Sequence, residues 1–264
     1  MSTTPTIRRA IVTGSTGGIG LAIARGLARQ GMRVVLNGRC AKRIDDAMTT
    51  IRSETPDALL SGFAGDLGTT EGVEELVAYE PEADILVNNL GIFERKPLFE
   101  IDDEDWQRLF EVNVLSGARL SRHYAPRMAS RGWGRVVFVS SISAVQVPPE
   151  MVHYGATKAA QLALARGLAE TLSRTGVTVN TILPGPTLTE GMADMFAGMA
   201  VRGDERPEEV ERDFIARNRP TSLLGRLASV DEVASMAIYL ASDAASAING
   251  SAFRVDGGIV RHLV

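Results

Sequence analysis

The chain has 264 residues, 45% of them hydrophobic and 23% charged, an ordinary globular balance able to bury one large core. A net charge of −4 gives no electrostatic basis for a nucleic-acid or anionic-membrane partner. One cysteine, Cys40, excludes an intrachain disulfide framework, and His123, His153 and His262 lack zinc-ligand spacing, so no metal is expected. The opening Met-Ser-Thr-Thr-Pro-Thr lacks the basic and apolar pattern of a leader. No apolar run reaches the roughly 18 residues of a membrane span. The expected location is the cytoplasm.

The first predicted strand, 10–12, runs into Thr13-Gly14-Ser15-Thr16-Gly17-Gly18-Ile19-Gly20, which opens a predicted helix over 19–30. A tight turn there brings backbone N–H groups and a helix N-terminus against a pyrophosphate, and a Cβ would obstruct the approach. Between a first strand and a first helix, such glycines point to a dinucleotide site. The second strand, 34–36, ends in Asn37-Gly38-Arg39, with no acid before Asp45. An NAD site usually offers a carboxylate to the ribose 2′-hydroxyl, whereas a 2′-phosphate needs a cation. Asn37 and Arg39 therefore predict NADP(H) as the preferred cofactor, with NAD(H) the alternative.

A helix over 42–54, a strand over 59–63, a helix over 70–79 and a strand over 85–87 continue the alternation. One long helix is expected over 104–130, then a strand over 136–139 ending in Ser140 and Ser141. Either hydroxyl is placed to polarise a carbonyl at the strand edge where ligands bind. Next, Tyr154-Gly155-Ala156-Thr157-Lys158 opens a helix over 154–173, with Tyr and Lys at i and i+4 on one face. A free phenol has a pKa of about 10, and a neighbouring ammonium favours its ionised form. Ala156, Ala159, Ala160, Ala163, Ala165 and Gly167 on this helix permit close approach of another helix. The last elements are a strand over 177–183, an irregular stretch over 185–226, a helix over 230–241 and a strand over 252–255. Within 185–226, Met192, Met195, Phe196 and Met199 share one helical face, either packed on the core or forming a substrate lid. Strict alternation with apolar strands predicts a single α/β domain over 1–264, a Rossmann-type doubly wound parallel sheet with helices on both faces.

These motifs together resemble the short-chain dehydrogenase/reductase family from about residue 8 to 258. The family's glycine motif matches Thr13 to Gly20, its adenine pocket Asp66-Leu67, and its Asn-Asn-Ala-Gly the run Asn88-Asn89-Leu90-Gly91. Pro184-Gly185, Thr187 and Thr189 match its contacts after the sixth strand. The resemblance implies seven strands and a catalytic Asn113, Ser141, Tyr154 and Lys158, the serine selected by its spacing of thirteen residues from Tyr154. It implies that Tyr154 exchanges a proton with a carbonyl/alcohol pair and Ser141 orients that oxygen. Lys158 would lower the tyrosine pKa and bind the ribose, with Asn113 holding a relay water. The cofactor-binding set is then Gly14, Ser15, Thr16, Gly18, Ile19, Gly20, Asn37, Arg39, Asp66, Leu67, Asn89, Gly91, Tyr154, Lys158, Pro184, Gly185, Thr187 and Thr189.

Two positions depart from the family pattern. Leu90 replaces the usual alanine, and Thr187 stands where a branched apolar residue is usual. Neither removes a catalytic group. The substrate expected is a small-molecule carbonyl or alcohol, either a 3-oxoacyl thioester or a polyol or cyclic alcohol. For the thioester, Arg131 and Arg174 fall near basic docking positions of related enzymes. The family resemblance also implies a homodimer or homotetramer through the small-residue helix. A regulator that binds the dinucleotide without chemistry is the alternative from another class.

Overall fold

The structure, a computed structural model, describes residues 7–203 and 206–263. The chain alternates β1 (Arg9–Val12), α1 (Gly18–Arg29), β2 (Arg33–Gly38), α2 (Ala41–Glu54), β3 (Leu60–Ala64), α3 (Thr70–Tyr79) and β4 (Ile85–Asn88). It continues through α4 (Asp103–Phe110), α5 (Ser116–Ser130), β5 (Gly134–Val139), α6 (Val152–Thr171) and β6 (Val177–Pro184). A short β7 (Thr187–Leu188) precedes α7 (Glu190–Gly203) and α8 (Pro207–Asn218). Then follow β8 (Ala228–Ser229), α9 (Val230–Leu240) and β9 (Ala252–Val255).

Seven strands form one parallel sheet in the order β3-β2-β1-β4-β5-β6-β9. Alternate strand residues serve opposite faces. Val12, Leu36, Val87 and Val139 pack with Ile23 and Leu27 of α1, Ile51 of α2 and Val233 and Leu240 of α9. Ile11, Val35, Leu86 and Phe138 pack with Leu76 of α3, Leu120 and Tyr124 of α5 and Ala165 of α6. In the central strands β1, β4 and β5, burial on both faces leaves no polar side, which is why they read as apolar runs. The order reverses between β1 and β4, so a crevice opens at their carboxyl ends.

The structure changes the expected elements in two places. The helix expected over 104–130 is two α-helices joined by a π turn, Glu111–Leu115, centred on Asn113. A π turn inserts one residue without disturbing apolar periodicity much, so the pattern conceals it. The Met face of 192–199 does not act as a unit. Phe196 is buried with Val210 and Ile215 of α8 and stacks edge-on against Phe214 at 5.4 Å, while Met195 and Met199 are exposed. A face spanning i to i+7 is wide enough that its margins point away from a small partner helix. Only Met192 reaches the cleft described below.

Arg131 and Arg174 precede β5 and β6, at the amino edge of the sheet. Arg131 donates to the Ala83 carbonyl at 2.6 Å and pairs with Asp84 at 3.4 Å, and Arg174 takes a left-handed φ of 63° in the turn into β6. Neither faces the carboxyl edge of its own chain. Among the described residues, no helix is long and apolar enough to cross a membrane, and no cluster of His, Cys, Asp and Glu could hold a metal.

Candidate active site

The glycine turn connects β1 to α1 at the crevice. Gly14 has a φ of 61° and Gly18 of 54°, a backbone that L side chains rarely adopt. At Gly20 an added Cβ would stand 2.5 Å from the Gly14 carbonyl and against the Asn89 amide. The turn is held from below. Asn89 Nδ2 donates to the carbonyls of Thr13 and Gly14 at 2.9 and 3.0 Å. Asn37 Oδ1 accepts from Gly14 N at 3.1 Å, its Nδ2 donates to Phe63 and Gly65 carbonyls, and Ser15 Oγ donates to Val12 O. Asn37 and Ser15 are buried and committed, so they shape the turn with side chains that are not free for a ribose.

Beside this turn lies a pocket of about 290 Å³ bordered by Thr16, Gly38, Arg39, Arg43, Asp66, Leu67 and Leu90. Leu67 is buried and Arg39 exposed at the end of β2. Arg43, one turn into α2, leans over Gly17, 3.6 Å from where a Cβ there would stand. Neither arginine is ion-paired among the described residues. Arg43 was not foreseen; its signal was a second cation four residues after Arg39 at a helix start.

A second cleft, of about 320 Å³, lies along the carboxyl ends of β4, β5 and β6. Gly91, Ser141, Tyr154, Lys158, Pro184, Gly185, Thr187, Thr189, Ile19, Phe93 and Met192 all border it. Ser140 and Ser141 divide their tasks. Ser140 Oγ is buried and donates to the Lys158 carbonyl at 2.8 Å, whereas Ser141 Oγ accepts from Ser143 N at 3.1 Å and faces the Tyr154 phenol. Burial pushes the Tyr154 pKa up, and the bond to Ser141 pulls it partly back. Lys158 Nζ stands 5.6 Å from the phenol ring centre, and burial lowers its pKa to about 7. Desolvation disfavours the charged forms of both Tyr154 and Lys158.

Asn113 is 1% exposed, and its side chain clamps the loop after β4. Its Oδ1 accepts from Ile92 N at 2.8 Å, and its Nδ2 donates to the Ile92 carbonyl and to Thr157 Oγ1 at 2.9 and 3.0 Å. Thr157 in turn donates to the Tyr154 carbonyl at 2.7 Å. Gln161 Nε2 donates to the Asn113 carbonyl at 2.5 Å, and Gln161 Oε1 accepts from Lys158 Nζ at 3.2 Å. Thr157 and Gln161 were missed. Each is a polar residue three positions after a catalytic one on the buried face of α6, which was the available signal.

A family profile described as enoyl-(acyl carrier protein) reductase matches residues 14–260. The chain is similar to the uncharacterized oxidoreductase YvaG of Bacillus subtilis (strain 168), with 46% identity over 97% of each chain. It belongs to the short-chain dehydrogenase/reductase family. It is accordingly an NAD(P)-dependent oxidoreductase acting on a carbonyl/alcohol pair. The gluconate 5-dehydrogenase of Gluconobacter oxydans (strain 621H) is 35% identical, covering 97% of this chain and 95% of its own. The structure of L-sorbose reductase from Gluconobacter frateurii complexed with NADPH and L-sorbose superposes with a TM-score of 0.89 at 32% identity, over the whole of both chains. Within the short-chain dehydrogenase/reductase pattern, the two departures are accommodated. Leu90 packs against Gly14, and Thr187 Oγ1 is satisfied by the Gly185 carbonyl at 3.0 Å.

Proposed function

We propose that this enzyme reduces an apolar ketone with NADPH, Tyr154 delivering the proton. The observation that carries the proposal is the cleft around Tyr154. Among the described residues bordering it, Lys158 is the only charged side chain, and Ile92, Phe93, Val139, Pro186 and Met192 supply apolar wall. Phe93 is 72% exposed and stands edge-on to Tyr154 at 6.2 Å, an apolar lip at the mouth. No second cation in that lining offers to hold a carboxylate such as that of gluconate.

A dinucleotide suits the turn that left-handed Gly14 and Gly18 and close-packed Gly20 hold tight at the start of α1. Gly14, Thr16, Gly18 and Ile19 would hold its pyrophosphate at the start of α1, with Asp66 and Leu67 flanking the adenine. Arg39 and Arg43 would meet a 2′-phosphate, and Gly91, Pro184, Gly185, Thr187 and Thr189 would border the nicotinamide end. The nicotinamide supplies the hydride when bound. The protein does the rest. Ser141 orients the carbonyl oxygen, and Tyr154, kept protonated at neutral pH by burial, gives up its proton to that oxygen. A proton-loaded phenol favours the reductive direction. Helices α7 and α8, with their own small core, serve as a lid over the apolar lip, Met192 being the residue that reaches inside.

The test is a panel of a cyclic ketone, a 3-oxoacyl thioester and L-sorbose, each with NADPH. The cyclic ketone is expected to lead the sugar in kcat/KM by at least about tenfold, since a sugar hydroxyl buried without a partner costs roughly 1–3 kcal/mol. A faster reaction with the sugar overturns the apolar assignment. The intact tyrosine and lysine set the non-catalytic regulator aside.

The same reading includes self-association. Ala156, Ala159, Ala160, Ala163 and Gly167 form a partly exposed strip along α6, and nothing lies within 4 Å of the Cβ position at Gly167. We assign this strip to a two-fold contact with a second copy, giving a homodimer or homotetramer. Sedimentation at micromolar concentration should give a dimer or larger, and a stable monomer would refute the assignment.

A further inference from the structure

Lys158 is the most deeply placed charge-bearing group of the cleft, and it is held there without an ion pair. Nζ donates to the Val139 carbonyl at 3.0 Å and to Gln161 Oε1 at 3.2 Å. Among the described residues, the elements packed around it present no carboxylate to it: α6 brings Tyr154 and Gln161, β5 the Val139 carbonyl, the π turn Asn113, and the loop after β4 Gly91. Tyr154 is thus the titratable neighbour it faces. Gln161 is itself 1% exposed, and both ends of its amide are used. Its NH2 binds the Asn113 carbonyl, at the point where the π turn offsets the helical ladder.

We propose that Gln161 is a positioning residue for the reaction, its amide spanning Lys158 Nζ and the Asn113 carbonyl so that the lysine is fixed on the floor of the cleft. Two consequences follow from the amide's chemistry. Its orientation is not free, because only NH2 can serve a carbonyl and only C=O can serve an ammonium. It offers the ammonium a fixed dipole in place of mobile solvent, which favours the charged form against burial. The inference rests on the proposed reaction for its meaning but not for its test.

The chain contains only three lysines, Lys42, Lys96 and Lys158, so cofactor-free enzyme isotope-labelled at the lysine Cε gives three NMR signals. One, assigned by its loss in Lys158→Arg, should titrate near neutral pH. In Gln161→Leu that titration should move down by about one unit or more, a tenfold change in the acid constant, because an acceptor is replaced by hydrocarbon. In Gln161→Glu it should move up, because a carboxylate replaces the amide oxygen. In both variants, kcat with NADPH should fall about tenfold while the KM for ketone changes little. A purely structural Gln161 would change the melting temperature while leaving the lysine titration in place in either folded variant. That result overturns the proposal. Should wild-type enzyme reduce no ketone while the two titrations still shift in opposite directions, the substrate reading fails and this one stands.

Discussion

Tyr154→Phe should lower kcat for ketone reduction by about 10³-fold, within the range that general acid catalysis contributes. NADPH should still bind within a few-fold of the parent affinity, measured by nicotinamide fluorescence. The substitution removes one oxygen and keeps the ring. The edge contact with Phe93 at 6.2 Å survives, and the hydroxyls of Thr157 and Ser140, which brace the backbone of α6, do not depend on the phenol. A loss confined to kcat therefore reports the missing proton. The pH dependence of the parent enzyme follows from the same group. Burial raises the Tyr154 pKa above its ordinary value, so the protonated, donating form persists through neutral pH. Reduction should hold across that range and decline only on the alkaline side. The reverse oxidation, which needs the phenolate, should rise there. Turnover retained in Tyr154→Phe would remove Tyr154 from its role.

Replacing both Arg39 and Arg43 with alanine should separate the two cofactors. Hydrogen bonds to charged groups contribute about 1.5–3 kcal/mol each, so either single variant should raise the KM for NADPH roughly 10–100-fold. The KM for NADH should change by less than about threefold, because no phosphate meets these guanidiniums in that cofactor. Both side chains border the pocket at the end of β2, no carboxylate stands at that strand end, and neither is occupied by an ion pair among the described residues. Equal weakening of NADPH and NADH would show that the pair serves general affinity and not selection.

The alternation of strand and helix was legible because a sheet buried on both faces needs apolar residues at every position. Runs such as 34–36 and 136–139 advertise that need without any tertiary knowledge. The glycines at 14, 18 and 20 were equally legible, since backbone conformation and close approach exclude side chains whatever surrounds them. Tyr154 and Lys158 could be paired from sequence because helical geometry alone sets i and i+4 on one face.

Other features depend on groups that only folding brings together. The π turn at Asn113 leaves apolar periodicity almost intact, so 104–130 looks like a single helix. Asn37 and Ser15 have the composition of ligand contacts, yet the Ser15 hydroxyl is bound to Val12 and to Asn37 N, and the Asn37 amide to the glycine turn and to the end of β3. The balance between Tyr154 and Lys158 is decided by how much water their surroundings exclude, a quantity no spacing encodes. The sequence by itself thus determined the fold and the chemical types at the site, because these rest on periodicity, backbone freedom and local geometry. The tertiary structure alone decided which polar groups are free, which are spent on the scaffold, and which charge states burial permits. Those outcomes depend on contacts across the sheet and on desolvation.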